Sequence, residues 1–276
     1  MRETLPTRIV RYCGIALVLV WSVFPILLVV QASLKPAAEI FAFPPRVLFV
    51  PTFDNYARLW VAWPEFFDAL WNSLVITLGA TLLTLVATLL SGFVYARYRS
   101  SALAGSAFFL IFIRMLPPIV VTLPLFPIVN WLRLNDTHLV LIILYASFFV
   151  SLNTWIMKAF IDQIPRELDE SAIIDGANVI AILRHVLLPL ALPGMIAAAT
   201  FVLVFSWNEF LFAFIFTTTE AKTAPLILSE MLGALDGVEW GVLFAAATVQ
   251  LLPILFFVIA VQKFVIAGMT AGSVKG

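Results

Sequence analysis

The chain has 276 residues, of which 63% are hydrophobic and 12% are charged, and its 16 basic and 16 acidic residues give a formal net charge of zero. Ordinary soluble domains are about 45–50% apolar and about 25% charged, so a water-soluble fold of this size could not hide so much apolar surface. This composition excludes a soluble enzyme, a disordered protein and a nucleic-acid-binding protein. The single cysteine, Cys13, excludes an internal disulfide.

Six stretches are long and apolar enough to cross a bilayer, which takes roughly 20 residues. They are residues 9–31, 72–95, 106–131, 139–160, 189–216 and 242–265. The first stretch is predicted to be a retained helix, because it is longer than the apolar region of a signal peptide and no small-residue cleavage pattern follows it. The sequence therefore predicts an all-α polytopic membrane protein with six transmembrane helices.

The distribution of basic residues predicts the orientation in the membrane. With the N-terminus in the cytoplasm, ten Lys and Arg residues fall inside and five fall outside, and Arg114 lies within the third stretch. An excess of basic residues inside favours this orientation, with both termini in the cytoplasm. Residues 159–188 then form the longest cytoplasmic loop.

This loop has the pattern of a helix–glycine–helix elbow. Pro165 suits the first turn of a helix, and the helix dipole favours the acidic residues that follow it. One apolar face is predicted from the four-residue spacing of Ile164, Leu168 and Ala172. Gly176 permits a sharp break because glycine adopts a positive φ readily, and a second short helix is predicted over about 177–187. Periodicity alone equally fits an ordinary amphipathic surface helix.

The elbow carries a motif that resembles the EAA loop of ABC-importer permeases. That loop reads E-A-A, three residues, G, nine residues, I, one residue and L-P, and the spacing here fits throughout. The matching residues are Glu170, Ser171, Ala172, Gly176, Val186, Leu188 and Pro189, of which Ser171 and Val186 are conservative departures. In this family the loop is a coupling helix seated in a cleft of a separate ATPase subunit. The resemblance implies this role for the matching residues and for Asp175.

Two further strings narrow the resemblance. Residues 206–210 (SWNEF) resemble the AWNEF-type segment of sugar-importer permeases, and residues 268–276 (GMTAGSVKG) resemble the GLTAGAVKG ending of the MalG-like permeases. The resemblance implies a type I ABC-importer permease of the carbohydrate-uptake type with the MetI-like fold. It divides the chain into an N-terminal helix and outer connector (1–71), a membrane core with the EAA loop at 163–189 (72–265), and a cytoplasmic tail (266–276).

The same resemblance implies partners and a role for the tail. Expected partners are a second homologous permease, two ATPase subunits, an extracytoplasmic solute-binding protein, the lipid bilayer and a carbohydrate substrate. The tail is expected to dock into the ATPase dimer through Thr270, Gly272 and Lys275. No phosphate-binding loop with the G-x-x-x-x-G-K-[ST] spacing occurs, so the chain is predicted to hold no cofactor. ATP and Mg are expected to bind to the partner ATPase.

Polar residues within or beside the stretches are candidates for the translocation path. They are Arg114, Asn130, Asn153, Asn208, Glu209 and Gln250. An intramembrane charge is costly and points to function, but Arg114 can also snorkel to the interface, and each amide can equally bond a neighbouring helix. No metal site is predicted, because His138 and His185 fall on opposite sides of the membrane.

Two alternatives to a carbohydrate importer remain open. The same fold can import a polyol, a glycerophospho-compound or a sugar conjugate. An ion-coupled secondary transporter is the alternative from another class, although no internal repeat of the kind that builds such transporters is visible. ATP dependence of uptake distinguishes the two classes.

Overall fold

The computed structural model describes residues 5–235 and 237–271, with side chains over residues 8–235 and 237–262. The described residues form helices and loops without a β-strand. The helices are α1 (Leu5–Ser33), α2 (Ala37–Ile40), α3 (Asp54–Ala62), α4 (Glu65–Arg97), α5 (Ser101–Met115), α6 (Pro118–Trp131), α7 (His138–Ile161), α8 (Glu167–Ile174), α9 (Val179–Ile182), α10 (Leu188–Trp207), α11 (Leu211–Phe216), α12 (Ala224–Leu232) and α13 (Trp240–Ala271).

Five continuous helical stretches are long and apolar enough to cross a membrane. They are Arg8–Ser33, Glu65–Arg97, His138–Ile161, Val179–Trp207 and Trp240–Gln262. The sixth candidate is α5 and α6 together, which bend by 97° at the break between them. The predicted all-α polytopic membrane fold is thus confirmed.

Two predicted stretches differ in detail from the observed helices. Residues 106–131 are not one helix, because the chain is extended at Leu116 and Pro117 before α6 begins, and a residue before proline disfavours the α region. Residues 189–216 are also interrupted: α10 ends at Trp207, and the short α11 follows separately.

The predicted second short helix of the elbow is the beginning of the following span. Helix α9 continues through a π-helical turn at Leu183–Leu187 directly into α10. In this turn the N–H of Leu188 donates to the carbonyl of Leu183, five residues earlier. Pro189 follows at once and has no N–H to donate, so the widened turn carries the helix past the proline without a break.

The chain divides into two compact units, Met1–Phe67 with Ile227–Leu252 and Asp68–Leu226 with Pro253–Gly276. In the first unit, no residue in the apolar window of α1 is buried by this chain, so lipid or another polypeptide must cover it. The buried Asn55 of α3 donates to the carbonyls of Ser33 and Lys35, both at 2.8 Å. These bonds fasten the end of α1 to α3.

In the second unit, α4 and α7 run parallel. His138, the first residue of α7, is bonded to Asn72 in the first third of α4 at 2.6 Å. At the other end of both helices, Arg97 donates to the carbonyl of Ile161 at 3.2 Å. Helix α10 runs in the opposite direction. Its residue Ala191 lies in the apolar cluster that contains Ile161. The elbow therefore lies at the end of these helices where α4 and α7 finish.

A glycine sets the close approach of α4 to α7. A Cβ added at Gly92 would lie 2.8 Å from Met157 Cβ and 3.1 Å from the backbone nitrogen of Lys158. We expect Gly92→Leu to lower the free energy of unfolding by about 3 kcal/mol, because the two helices must separate. The control is Gly105→Leu, since nothing lies within 4 Å of a Cβ at Gly105. Thermal unfolding in detergent measures both, and equal midpoints would contradict the prediction.

Candidate coupling site and translocation residues

The elbow turns at Gly176, between α8 and α9. This glycine has φ +85°, a conformation that residues with a side chain rarely adopt. Its N–H donates to the carbonyl of Ile173 at 3.0 Å, and the N–H of Ala177 donates to that of Ala172 at 2.9 Å. Asn178 then caps α9, because its side-chain oxygen accepts from the N–H of Ala181 at 2.9 Å. The predicted break at Gly176 is therefore confirmed.

The elbow presents acidic and apolar side chains to its surroundings. Glu170, Ser171 and Asp175 are exposed, and Ala172 is half-buried. Ile174 and Ile180 are 86% and 74% exposed. Large apolar side chains next to carboxylates on one small surface are typical of a surface that another protein covers.

The predicted apolar face of α8 is only partly correct. Ile164 is buried and Ala172 half-buried, but Leu168 is exposed. The buried residue of α8 is instead Asp169, which forms an ion pair with Arg97 at the end of α4. The four-residue spacing of apolar residues gave no signal for this ion pair, because its partner lies 72 positions away.

The second half of the motif lies in the π-helical turn and the start of α10. Val186 is half-buried and packs against the apolar cluster that contains Ile161 and Leu187. Leu188 is half-buried, and Pro189 is exposed. The motif thus spans the bend and the beginning of the membrane helix that follows it.

Arg114 fastens α5 to α7. Its Nη1 donates to the carbonyl of Phe148 at 3.0 Å, and its guanidinium carbon lies 4.2 Å from the centre of the Phe148 ring. Cation–π contacts of this kind stabilise a desolvated guanidinium by about 2 kcal/mol. The half-buried arginine therefore has a structural partner, in addition to the path-lining role that the sequence predicts.

Three of the remaining path candidates bond to groups close to them in sequence. Asn153 is fully buried and donates to the carbonyl of Phe149 in its own helix at 2.9 Å. Exposed Asn130 accepts from the Asn135 amide at 3.0 Å. Exposed Asn208 likewise donates to a carbonyl of its own helix, that of Val204.

Glu209 and Gln250 complete the set. Glu209 caps α11: its Oε1 accepts from the N–H of Phe212 at 3.0 Å and its Oε2 from that of Ala213 at 3.4 Å. A carboxylate is favoured at a helix N-terminus. Gln250 is half-buried within α13. Of the predicted tail residues, Thr270 lies in the last turn of α13, and Gly272 and Lys275 lie outside the described residues.

At the end opposite the elbow, Asp136 closes a loop that the sequence did not single out. Its carboxylate accepts six hydrogen bonds of 2.8–3.1 Å. The donors are the N–H groups of Thr218, Thr219, Glu220 and Ala221 and the hydroxyls of Thr218 and Thr219. Partial burial of Asp136 disfavours its charged form, but these bonds outweigh burial and hold the pKa of the carboxyl far below its usual range. Asp136 itself has φ +58°.

These features define a class: a polytopic helical membrane protein with a short helix and a glycine turn between two of its spans, at one end of them. Residues 88–271 match the family described as binding-protein-dependent transport system inner membrane component. The chain therefore belongs to this family of multi-pass inner-membrane permeases, as the resemblance predicted.

Relatives and solved structures agree with this membership. The chain is 30% identical over 278 residues to the trehalose/maltose transport system permease protein MalG of Thermococcus litoralis, covering 100% of both chains. It is 35% identical over 268 residues to the trehalose transport system permease protein SugB of Mycobacterium tuberculosis, covering 94% of this chain and 95% of that one. It also resembles a chain in the structure of a bacterial ABC transporter involved in the import of the acidic polysaccharide alginate. The TM-score is 0.79 and the identity 20%, and the match covers 95% of this chain and 99% of that one. At this identity, the last likeness shows the fold.

Proposed function

We propose that the chain is the transmembrane permease subunit of an ATP-driven, binding-protein-dependent carbohydrate importer. It forms the translocation path with a second homologous permease and couples to two ATPase subunits through the elbow. A solute-binding protein delivers the carbohydrate outside, and ATP with Mg binds the ATPase subunits. The observation that carries the proposal is the elbow, in which Gly176 has a positive φ, Glu170 is exposed and the spacing matches the EAA loop.

The orientation and the substrate class have separate support. Arg97, Arg99 and the elbow lie at one end of α4 and α7, whereas Asp136 and its bonded loop lie at the other. The excess of basic residues supports a cytoplasmic location for the elbow and both termini. Relatives named for trehalose and maltose support a carbohydrate.

Reconstitution tests the proposal directly. The permease pair, the ATPase subunits and the binding protein are assembled in proteoliposomes, and uptake of labelled trehalose and maltose is measured with and without ATP. We expect uptake that requires both ATP and the binding protein. Uptake driven by an ion gradient without ATP would contradict the proposal and favour a secondary transporter. If the binding protein instead binds a polyol or a sugar conjugate, that compound class would replace carbohydrate as the proposed substrate.

Charge reversal at Glu170 tests the coupling surface. Glu170→Lys should weaken binding of the ATPase subunits at least tenfold and abolish ATP-dependent uptake, because an acid facing a basic residue becomes two like charges in contact. The variant should still reach the membrane, since the Glu170 side chain is exposed. Co-purification of the ATPase and uptake are the two measurements.

Two comparisons make this experiment specific. Glu65→Lys makes the same charge change at an exposed position at the other end of α4 and should leave ATPase binding unchanged. A basic-to-acidic change in the ATPase should restore binding to Glu170→Lys. Normal binding and uptake in Glu170→Lys would remove the elbow from the coupling mechanism.

A further inference from the structure

A buried ion pair, in addition to the apolar contact of the half-buried Ala172, holds the first short helix of the elbow against the membrane helices. Of the eight residues of α8, Asp169 is the one that is buried, whereas Ile173 and Ile174 are 60% and 86% exposed. Its partner is Arg97, and the two side chains are only 8% (Arg97) and 12% (Asp169) exposed. A carboxylate persists in such surroundings when it is paired, so the pair determines where α8 sits.

Arg97 joins three elements at one point. Its Nε donates to the Asp169 carboxylate, its Nη1 to the carbonyl of Ile161 at 3.2 Å, and its Nη2 to the carbonyl of Ile164 at 3.1 Å. Ile161 is the last residue of α7 and Arg97 the last residue of α4. The C-terminal carbonyls of a helix carry partial negative charge, which favours a guanidinium there. The planar fork of arginine suits several acceptors at once.

A second arginine makes the reverse connection. Arg166 immediately precedes α8, and its Nη2 donates to the carbonyl of Ala96 in the last turn of α4 at 2.8 Å. A side chain of α4 therefore holds α8, and a side chain beside α8 holds α4. We call Arg97, Asp169 and Arg166 the arginine clasp.

We propose that the arginine clasp is the mechanical link through which displacement of the elbow moves the membrane helix α4. The three residues are positioning residues, and the inference rests on the proposed coupling function. Glu170 and the exposed isoleucines of α8 face outward, whereas Asp169 faces the end of α4. A force on the outer surface of α8 thus reaches α4 through bonded side chains. Along the chain, α8 is joined to α7 through residues 162–166 and to α9 through Gly176, and neither connection leads to α4 directly.

The experiment uses the complete transporter in lipid nanodiscs with its ATPase subunits and binding protein. In Asp169→Asn, ATPase binding should stay within twofold of the parental value and ATP should still be hydrolysed. Labelled trehalose or maltose transported per ATP, measured in proteoliposomes, should fall at least tenfold. Asp169→Glu, which keeps the charge, should restore most of the substrate transported per ATP hydrolysed. The control Asp162→Asn disrupts the exposed ion pair with Lys158 at the same end of α7 and should keep the parental ratio.

Hydrogen exchange on the membrane-embedded permease gives an independent readout. Amides of residues 167–176 should exchange at least tenfold faster in Asp169→Asn than in the parental protein, and those of α10 should be unchanged. A parental transport-to-ATP ratio in Asp169→Asn, or equal losses of ATPase binding and transport, would overturn the proposal. Unchanged exchange would overturn it as well. Uptake without ATP by the parental transporter would contradict the proposed function instead, and the exchange result would still decide whether the clasp fastens α8.

Discussion

Replacing Asp136 with alanine should lower the thermal unfolding midpoint of the purified permease by roughly 6–12 °C, which corresponds to about 3 kcal/mol. Four N–H groups and two hydroxyls in residues 218–221 share this one carboxylate as acceptor. Without it, six bonds to a charged acceptor are lost together, and the N–H of the buried Ala221 has no acceptor; an unsatisfied buried donor costs more than the bond contributed. Thermal unfolding in detergent measures the loss.

Asp136→Asn should be almost as damaging as Asp136→Ala. Both carboxylate oxygens face donors: Oδ1 accepts from two N–H groups, and Oδ2 accepts from two N–H groups and two hydroxyls. An asparagine must turn its NH₂ group toward one of these sets, which places donors against donors. The control is Asp68→Asn, because Asp68 is exposed. An Asp136→Asn midpoint equal to that of Asp68→Asn would contradict the prediction.

The depressed pKa of Asp136 also predicts a pH dependence. The carboxyl of an unfolded aspartate has a pKa of about 3.9, and in the folded protein the pKa of Asp136 is lower. The stabilisation is therefore fully present above about pH 4 and is lost as the pH falls below that value toward the folded pKa. The parental protein should lose this part of its stability in acid, and the two Asp136 variants should not.

Gly176→Val should abolish ATP-dependent uptake while leaving the permease in the membrane. Nothing lies within 4 Å of a Cβ at Gly176, so the penalty is conformational rather than a clash with a neighbour. A side chain at φ +85° costs about 1–2 kcal/mol, and more for a β-branched residue. The chain relieves this strain by leaving the positive φ, which redirects α8 and its exposed surface. ATPase co-purification and uptake measure the effect.

Two matched substitutions distinguish the effect of the positive φ at position 176 from the effect of side-chain size. Gly176→Asn should retain a substantial part of the uptake, since asparagine tolerates a positive φ. Gly105→Val adds the same side chain in a helix where nothing lies within 4 Å and should be near parental. A Gly176→Val variant that transports at the parental rate would show that the turn at this position does not control coupling.

The spans and the elbow could be predicted because their signals are local. Apolar length alone located five continuous spans, since a bilayer requires about 20 apolar residues. The break at Gly176 was also predictable, because glycine adopts a positive φ readily and this one lies between two predicted short helices. The 97° bend between α5 and α6 was not predicted, because apolar length does not show where a stretch is interrupted.

The residues that sequence reasoning missed depend on partners far along the chain. Asp169 is 72 positions from Arg97, and Asp136 is 82–85 positions from its donors. On local periodicity each looks like an acid facing solvent, because burial of a charge is decided by the partner that tertiary packing supplies. The positive φ of Asp136 is tolerated by aspartate more than by most residues, but this tolerance does not identify the loop that it binds.

Because of the π-helical turn at Leu183–Leu187, the spacing of the motif also determines how its two halves are rotated relative to each other. Each residue of an α-helix advances roughly 100° about the axis, and a π turn contains about one residue more than an α turn. The widened turn therefore changes the rotational phase of α9 relative to α10. The nine residues between Gly176 and Val186 therefore fix both the distance between these two positions along the helix and the angle between them about its axis. The number of residues between Gly176 and Val186 thus determines the rotational orientation of the elbow about the axis of α10.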